Sequence, residues 1–378
     1  MKKLVFGLLA VLLIGIIIVG GCGEAAPEPA PAPTPAPAPA PSPSPAPSPS
    51  PAPSPAPVPS PAPAMEEPIT ITYTAPGPPG LFQSQLMQRY LDEITETSGG
   101  KITIKTFYGG ALLGAGATYD GVMAGIADIG YDQPSYSKGR FPVIEAIEQP
   151  WGYPDVIAAT EITWGVFDKF QPAELKDAKA VGVYSFGHPV MVSNVPIRTL
   201  EDLEPLKIRG TGNMARMIQG LGAAAVSMPI FEVYDSLRKN LVDGCLVGPE
   251  CIPNFKFEEV SKYATDVSFI SPNMVGLLFM NRDNFNSLPL YAQKIIDEVS
   301  EKYKTLVAEE LEQYSLSSYD YAREHDMEVI TVDAAEQARW QEKMSQLIVD
   351  FIKEKEAEGI PAQDIADFIR DGIEAYKK

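Results

Sequence analysis

Few residues in this 378-residue chain have the type and placement to do chemistry: three cysteines, two histidines, and an arginine closing a strand-like run. Cys22 ends a long apolar segment, while Cys245 and Cys251 stand six positions apart. That spacing allows either an approach of the two sulfurs or two small buried thiols. His188 and His325 are 137 positions apart, too few and too distant for a usual zinc site. Neither accompanies a serine or cysteine nucleophile motif, and His325 falls at a helix end, where water reaches it. Gly109 to Gly116 is glycine-rich but lacks the Lys-Ser/Thr that grips phosphate and magnesium, so it reads as a flexible turn between strand and helix. No catalytic constellation and no cofactor motif emerges. Arg209, at the end of Leu206-Lys207-Ile208-Arg209, remains: a guanidinium stays charged when buried and offers two parallel donors to a carboxylate.

The elements that must position it begin after residue 64. Met1-Lys2-Lys3 and the apolar run Leu4 to Val19 form a signal segment, and Gly21-Cys22 at its end resembles a bacterial lipobox. That resemblance implies cleavage before Cys22 and lipid on its sulfur, which anchors the chain to the membrane outside the cytoplasm. Residues 22–64 then form a tether in which proline occupies all 19 odd positions from Pro27 to Pro63. Proline at every second residue favours an extended polyproline II spacer, about 3.1 Å per residue. The net charge of −19 falls entirely on the remaining 314 residues, and an acidic body excludes nucleic acid as a partner.

Within that body, alternating β-branched and apolar residues predict strands at Pro68 to Thr74 and Lys101 to Phe107, with a helix from Phe82 to Thr97 between them. A short helix from Tyr119 to Gly125 and a strand at 127–131 complete a βαβαβ start, hence parallel pairing with a ligand beyond the strand carboxyl ends. The middle of the chain repeats the pattern, with strands at 180–185, 206–209, 225–228 and 244–247 and helices at 213–221 and 232–239. A long helix, capped by Ser287 and running from Leu288 to Glu324, is too long for one lobe and should cross both. A strand from Met327 to Val332 and helices at 334–358 and 361–376 end the chain. The fold expected is α/β: two lobes with mixed, mostly parallel sheets. Lobe I takes residues 65–188 plus about 273–312, and lobe II takes 189–272 plus about 313–378.

Several blocks agree in order and spacing with one family. Ile197 to Arg209, Leu221-Gly222-Ala223-Ala224, Met228 to Leu237, Leu241-Val242-Asp243-Gly244 and Lys256 to Tyr263 resemble the substrate-binding proteins of tripartite ATP-independent periplasmic (TRAP) transporters, of the DctP type. Ser98 to Lys101, Gly109 to Gly114 and Gly125 to Gly130 fit the same family. The resemblance implies a periplasmic-binding-protein-like receptor that closes on a small organic acid and passes it to the membrane subunits of a permease. It also implies that Arg209 pairs the ligand's carboxylate.

Two departures bear on the ligand. Pro189 occupies the place of a second arginine common in the family, and Val247 the place of a ligand-holding asparagine. A site that keeps one cation and loses two polar partners should favour a monocarboxylate with an apolar or aromatic body. Tyr131 and Gln133 are expected from the first lobe, with Trp151, Tyr153, Asn213, Ile230, Phe231 and Val247 completing the wall. Two other functions fit the same scaffold: an extracytoplasmic sensor or enzyme, and a surface adhesin. The missing catalytic residues count against an enzyme, and a cleft built around an arginine against an adhesin.

Overall fold

The computed structural model describes residues 67–377 except Gly187; the signal segment, Cys22, the tether and the lipid anchor expected there lie outside those residues. Eleven strands form two sheets. The first contains β1 (Ile69–Thr74), β2 (Ile102–Phe107), β3 (Ile129–Asp132), β4 (Ala178–Phe186) and β10 (Met274–Asn281), in the order β2-β1-β3-β10-β4. The second contains β5 (Val190–Ser193), β6 (Lys207–Arg209), β7 (Ala224–Val226), β8 (Gly244–Val247), β9 (Tyr263–Asp266) and β11 (Glu328–Thr331), in the order β11-β9-β5-β8-β6-β7. The βαβαβ start pairs in parallel as expected, β2 and β3 flanking β1. In each sheet one strand runs against its neighbours: β10 is antiparallel to β3 and β4, and β5 to β8 and β9. The chain therefore changes sheet three times: between β4 and β5, between β9 and β10, and between β10 and β11.

The helix Phe82–Thr97 follows its apolar stripe closely. Leu86, Met87, Tyr90, Leu91 and Ile94 are all at most 2% exposed and share a core with Ile296, Val299, Tyr303 and Val307 of the long helix. Each such burial stabilises by about 1.5–3 kcal/mol, against at most about 0.7 kcal/mol per residue from helix propensity, so packing holds this helix. The long helix spans Leu290–Glu324, 35 residues or about 52 Å. Its first two-thirds pack on the first sheet, while Ala322 and Tyr319 pack under the second with Val190, Cys245 and Met327. Its start differs from the expectation. Ser287 ends a separate short helix, Arg282–Ser287, and Pro289 precedes the first turn. Proline suits that position, having no N–H to leave unbonded.

The C-terminal helix Ala362–Tyr376 departs from the expected division. Its residues Ile365, Ile369 and Ile373 are buried with Ile144, Ile162 and Val166 of the first lobe. Its neighbour Ala334–Ala357 instead carries Trp340 and Met344 into the second lobe's core. The final helix thus returns to the first lobe, because its apolar stripe finds its complement there. No helix of the described residues is long and apolar enough to cross a membrane.

Candidate ligand-binding site

A cavity of about 100 Å³ lies between the two sheets. It opens where the sequence places strand ends: after β1 at Ala75, Pro76 and Gly77, at Tyr131 and Gln133 of β3 and its end, at Arg209 closing β6, and at Val247 closing β8. Of the nine expected ligand residues, Arg209, Tyr131, Gln133, Asn213, Ile230, Phe231 and Val247 line it. The other two do not. Trp151 donates from Nε1 to the Ala146 carbonyl at 2.7 Å under the Arg370 guanidinium, and the Tyr153 hydroxyl donates to the Ile147 carbonyl at 2.9 Å. Tyr153 is a core residue of the first lobe, and Trp151 packs against that core. Pro189 also lies off the cavity, its carbonyl accepting the Val267 N–H at 3.2 Å.

Arg209 is held in place by backbone on both sides. Within the ladder it sits opposite Val226 of β7 and Cys245 of β8, and it is only 4% exposed. Nε and Nη2 both donate to the Met228 carbonyl, at 3.0 and 2.9 Å. One edge of the guanidinium is thereby fixed, leaving its end-on fork for a ligand. No carboxylate among the described residues comes within ion-pair distance of it. Tyr136 stands beside it; burial raises that phenol's pKa, and the positive charge of Arg209 opposes the rise.

The wall is largely apolar. Ile230, Val247, Leu81 and Met87 line it, and Phe231 meets Phe255 edge-on with ring centroids 5.9 Å apart. Gly276 lies behind it: a methyl there would come within 2.6 Å of the Tyr131 hydroxyl and 2.9 Å of the Phe186 ring. Both aromatics line the cavity, and both rest on bare backbone.

Two carboxyls in this wall escaped the sequence reading. Glu148 is 5% exposed; its Oε1 accepts the Val275 N–H at 3.1 Å, and burial raises its pKa to about 8. Glu250 is 2% exposed; its Oε2 accepts the Ser315 hydroxyl at 3.4 Å, and burial raises its pKa to about 7. A signal for Glu148 existed: it falls four residues after Ile144, on the buried stripe of the helix Pro142–Ile147. Glu250 lies three residues after Val247, which stands at the place of the family's asparagine.

Contacts across the cleft join the lobes at its rim. Asn254 donates to the Gln83 side chain at 3.0 Å, Asn213 donates to the Glu145 carbonyl at 2.7 Å, and the Ile230 N–H reaches the Tyr136 hydroxyl at 3.4 Å. Beside the first crossing between sheets, His188 Nε2 meets Glu312 Oε1 of the long helix at 3.1 Å, and Glu312 Oε2 accepts the Val156 N–H at 2.9 Å. The hydrogen bond to Glu312 raises the His188 pKa although burial opposes it. Burial also opposes ionisation of Glu312, but its hydrogen bonds from His188 and Val156 outweigh that and lower its pKa.

The remaining chemical candidates are structural. The turn at Gly109 to Gly116 is tied to β3, the Gly116 N–H donating to Asp132 Oδ2 at 3.0 Å. Cys245 and Cys251 form no disulfide, and burial pushes the Cys245 thiol up to about 12. His325 stacks on Tyr321 and is exposed. Among the described residues no group of three or more His, Cys, Asp or Glu could hold a metal ion.

Comparison with known proteins places this arrangement. Residues 78–355 match the family described as bacterial extracellular solute-binding protein, family 7 (DctP). The chain is 27% identical over 254 residues to the 2,3-diketo-L-gulonate-binding periplasmic protein YiaO of Escherichia coli, covering 65% of this chain and 75% of that one. A TRAP periplasmic solute-binding protein from Desulfovibrio salexigens is 27% identical, with a TM-score of 0.72 over 82% of this chain and 96% of that one. A marine-metagenome TRAP solute-binding protein, specific for aromatic acid ligands and solved with 3-hydroxybenzoate, is 23% identical. Its TM-score is 0.78, covering 83% of this chain and all of that one.

Proposed function

Because the chain belongs to family 7 of the bacterial extracellular solute-binding proteins, the solute receptors of TRAP transport, we propose that it captures a monocarboxylate with an apolar or aromatic body. The lobes would close over this acid, and the receptor would deliver it to the membrane subunits of a permease. Lipid on Cys22 would keep the receptor at the outer face of the membrane, on the tether of residues 22–64.

The observation that carries this reading is Arg209: a buried guanidinium, fixed by one edge, with no carboxylate among the described residues within ion-pair distance to neutralise it. An uncompensated buried cation is costly, and an incoming carboxylate removes that cost. The rest of the cavity argues for one charge only. Its wall is apolar at Ile230, Val247 and Phe231; among the described lining residues Arg209 is the one basic group, and the carboxyls are Glu148 and Glu250. A second carboxylate would find no second cation among the described lining residues. The aromatic-acid specificity of the structurally similar marine protein agrees with this chemistry, although at that identity it lends only its fold to the argument.

Calorimetry on residues 65–378 tests the proposal with benzoate, 3-hydroxybenzoate and phenylacetate against isophthalate and glucuronate. The monocarboxylates should bind more tightly, and small-angle scattering should show compaction on saturation. Tighter binding of isophthalate or glucuronate would overturn the ligand class, and superimposable scattering profiles would overturn closure.

A further inference from the structure

The cavity holds one fixed cation and two buried acids, and this charge balance constrains how an anion can enter. Glu148 ends the helix Pro142–Ile147 at the wall. Its Oε1 is committed to the Val275 N–H, a donor that serves either protonation state. No protein donor reaches its Oε2, so a proton on the carboxyl belongs there, and no cation pairs with the group. Around it stand Glu145, which adds negative charge but is itself met by Lys355 at 3.4 Å, and the phenol of Tyr153, which is spent on the Ile147 carbonyl. On the β10 side the contact is the Val275 N–H, and Arg209 and Glu250 share the cavity with it.

We propose that Glu148 is a specificity-determining residue that binds the acid as a neutral carboxyl, donating from Oε2 to an oxygen of the ligand and excluding it when ionised. The idea deepens the monocarboxylate reading above and rests on it. An ionised Glu148 would put two like charges in one water-poor cavity with Arg209 already shared. A neutral one adds a donor in place of that second negative charge. The rise of its pKa to about 8, caused by burial, leaves it mostly neutral at pH 7. Ligand that binds only this form loses affinity as pH climbs through that value, approaching about tenfold per pH unit for one linked proton.

Benzoate is the probe, since it has no second ionisation between pH 6 and 10. Its affinity for the wild type, measured by calorimetry on residues 65–378, should fall above pH 8 toward about tenfold per unit, beyond any shallower change that the ionisation of Glu250 near pH 7 brings. Glu148→Gln keeps an acceptor for Val275 and a donor toward the cavity, so it should bind benzoate near wild-type affinity at pH 7 and lose the fall. Glu250→Gln should retain the fall, which separates the two acids. A level wild-type profile with measurable binding overturns the role of Glu148 and leaves the monocarboxylate reading standing. So does a fall that persists in Glu148→Gln. No benzoate binding at any pH, while isophthalate or glucuronate binds, overturns both.

Discussion

Replacing Arg209 by methionine removes the charge and keeps an unbranched chain of similar reach, so it isolates the guanidinium from the packing around it. Arg209 is 4% exposed, and a carboxylate paired with it would be out of water. Removing one partner of such a pair costs about 3–5 kcal/mol, equivalent to roughly 10²- to 10⁴-fold in affinity. Arg209→Lys keeps the charge but gives up the parallel donors. Losing one charge-assisted hydrogen bond costs about 1.5–3 kcal/mol, so lysine should lose roughly 10- to 100-fold. The ligand-free protein should respond in a different way. Methionine strips the Met228 carbonyl of two donors, a loss, but also removes a buried charge without a counter-ion, a gain. These terms oppose each other, so the melting temperature should move little while affinity collapses. Calorimetry with the tightest monocarboxylate, beside thermal unfolding of the same three proteins without ligand, measures both. Methionine-variant affinity within about tenfold of wild type, a difference of about 1.4 kcal/mol, would refute the assignment.

Tyr153→Phe should lower stability by about 0.5–1.5 kcal/mol through loss of the hydrogen bond to Ile147, and leave benzoate affinity unchanged; a weakened affinity would return Tyr153 to the site. The His188–Glu312 pair should stabilise only while both groups are charged. The raised His188 pKa gives a contribution that is full below its unfolded value near 6.5 and is lost as pH rises through the folded value. The lowered Glu312 pKa gives one that is present above about 4.5 and is lost as pH falls through its folded value. Melting temperatures of wild type and His188→Gln should therefore differ most between pH 5 and 6 and converge toward pH 9, and a constant difference would count against the pair. Cys22→Ser, expressed in a bacterium, should lose a lipid label and leave the detergent phase; unchanged labelling would place the anchor elsewhere.

The elements legible in the sequence are those with an amphipathic period: the helix Phe82–Thr97 and β8 begin and end where they were expected, and most others differ by a residue or two. β10 was not legible. Its run Met274 to Met280 is apolar throughout because it lies mid-sheet, covered on both faces, and so carries no alternation. Arg209 was legible because a motif brought several spaced residues together at once. Trp151 and Tyr153 were misplaced because what covers them includes a helix some 200 residues later, whose return to the first lobe no local pattern announces. Glu148 and Glu250 were missed for a related reason. An acid on a buried stripe looks like an imperfection until the cavity beside it is known.

The close seating of Tyr131 on the Gly276 backbone has a consequence for how such a receptor can change its diet. Gly276 is covered by Tyr131 and Phe186, and its replacement by alanine would drive one or both rings forward. A single methyl group, added to a residue that need touch no solute, would narrow the chamber while every face presented to the solute kept its chemistry. On the proposed reading, size and charge preference would be set from different places: charge by Arg209 and the two acids, size partly by a strand position one layer back. A lineage could drift from bulky to compact solutes by adjusting the backing of the wall, and comparisons restricted to solute-facing residues would see no change.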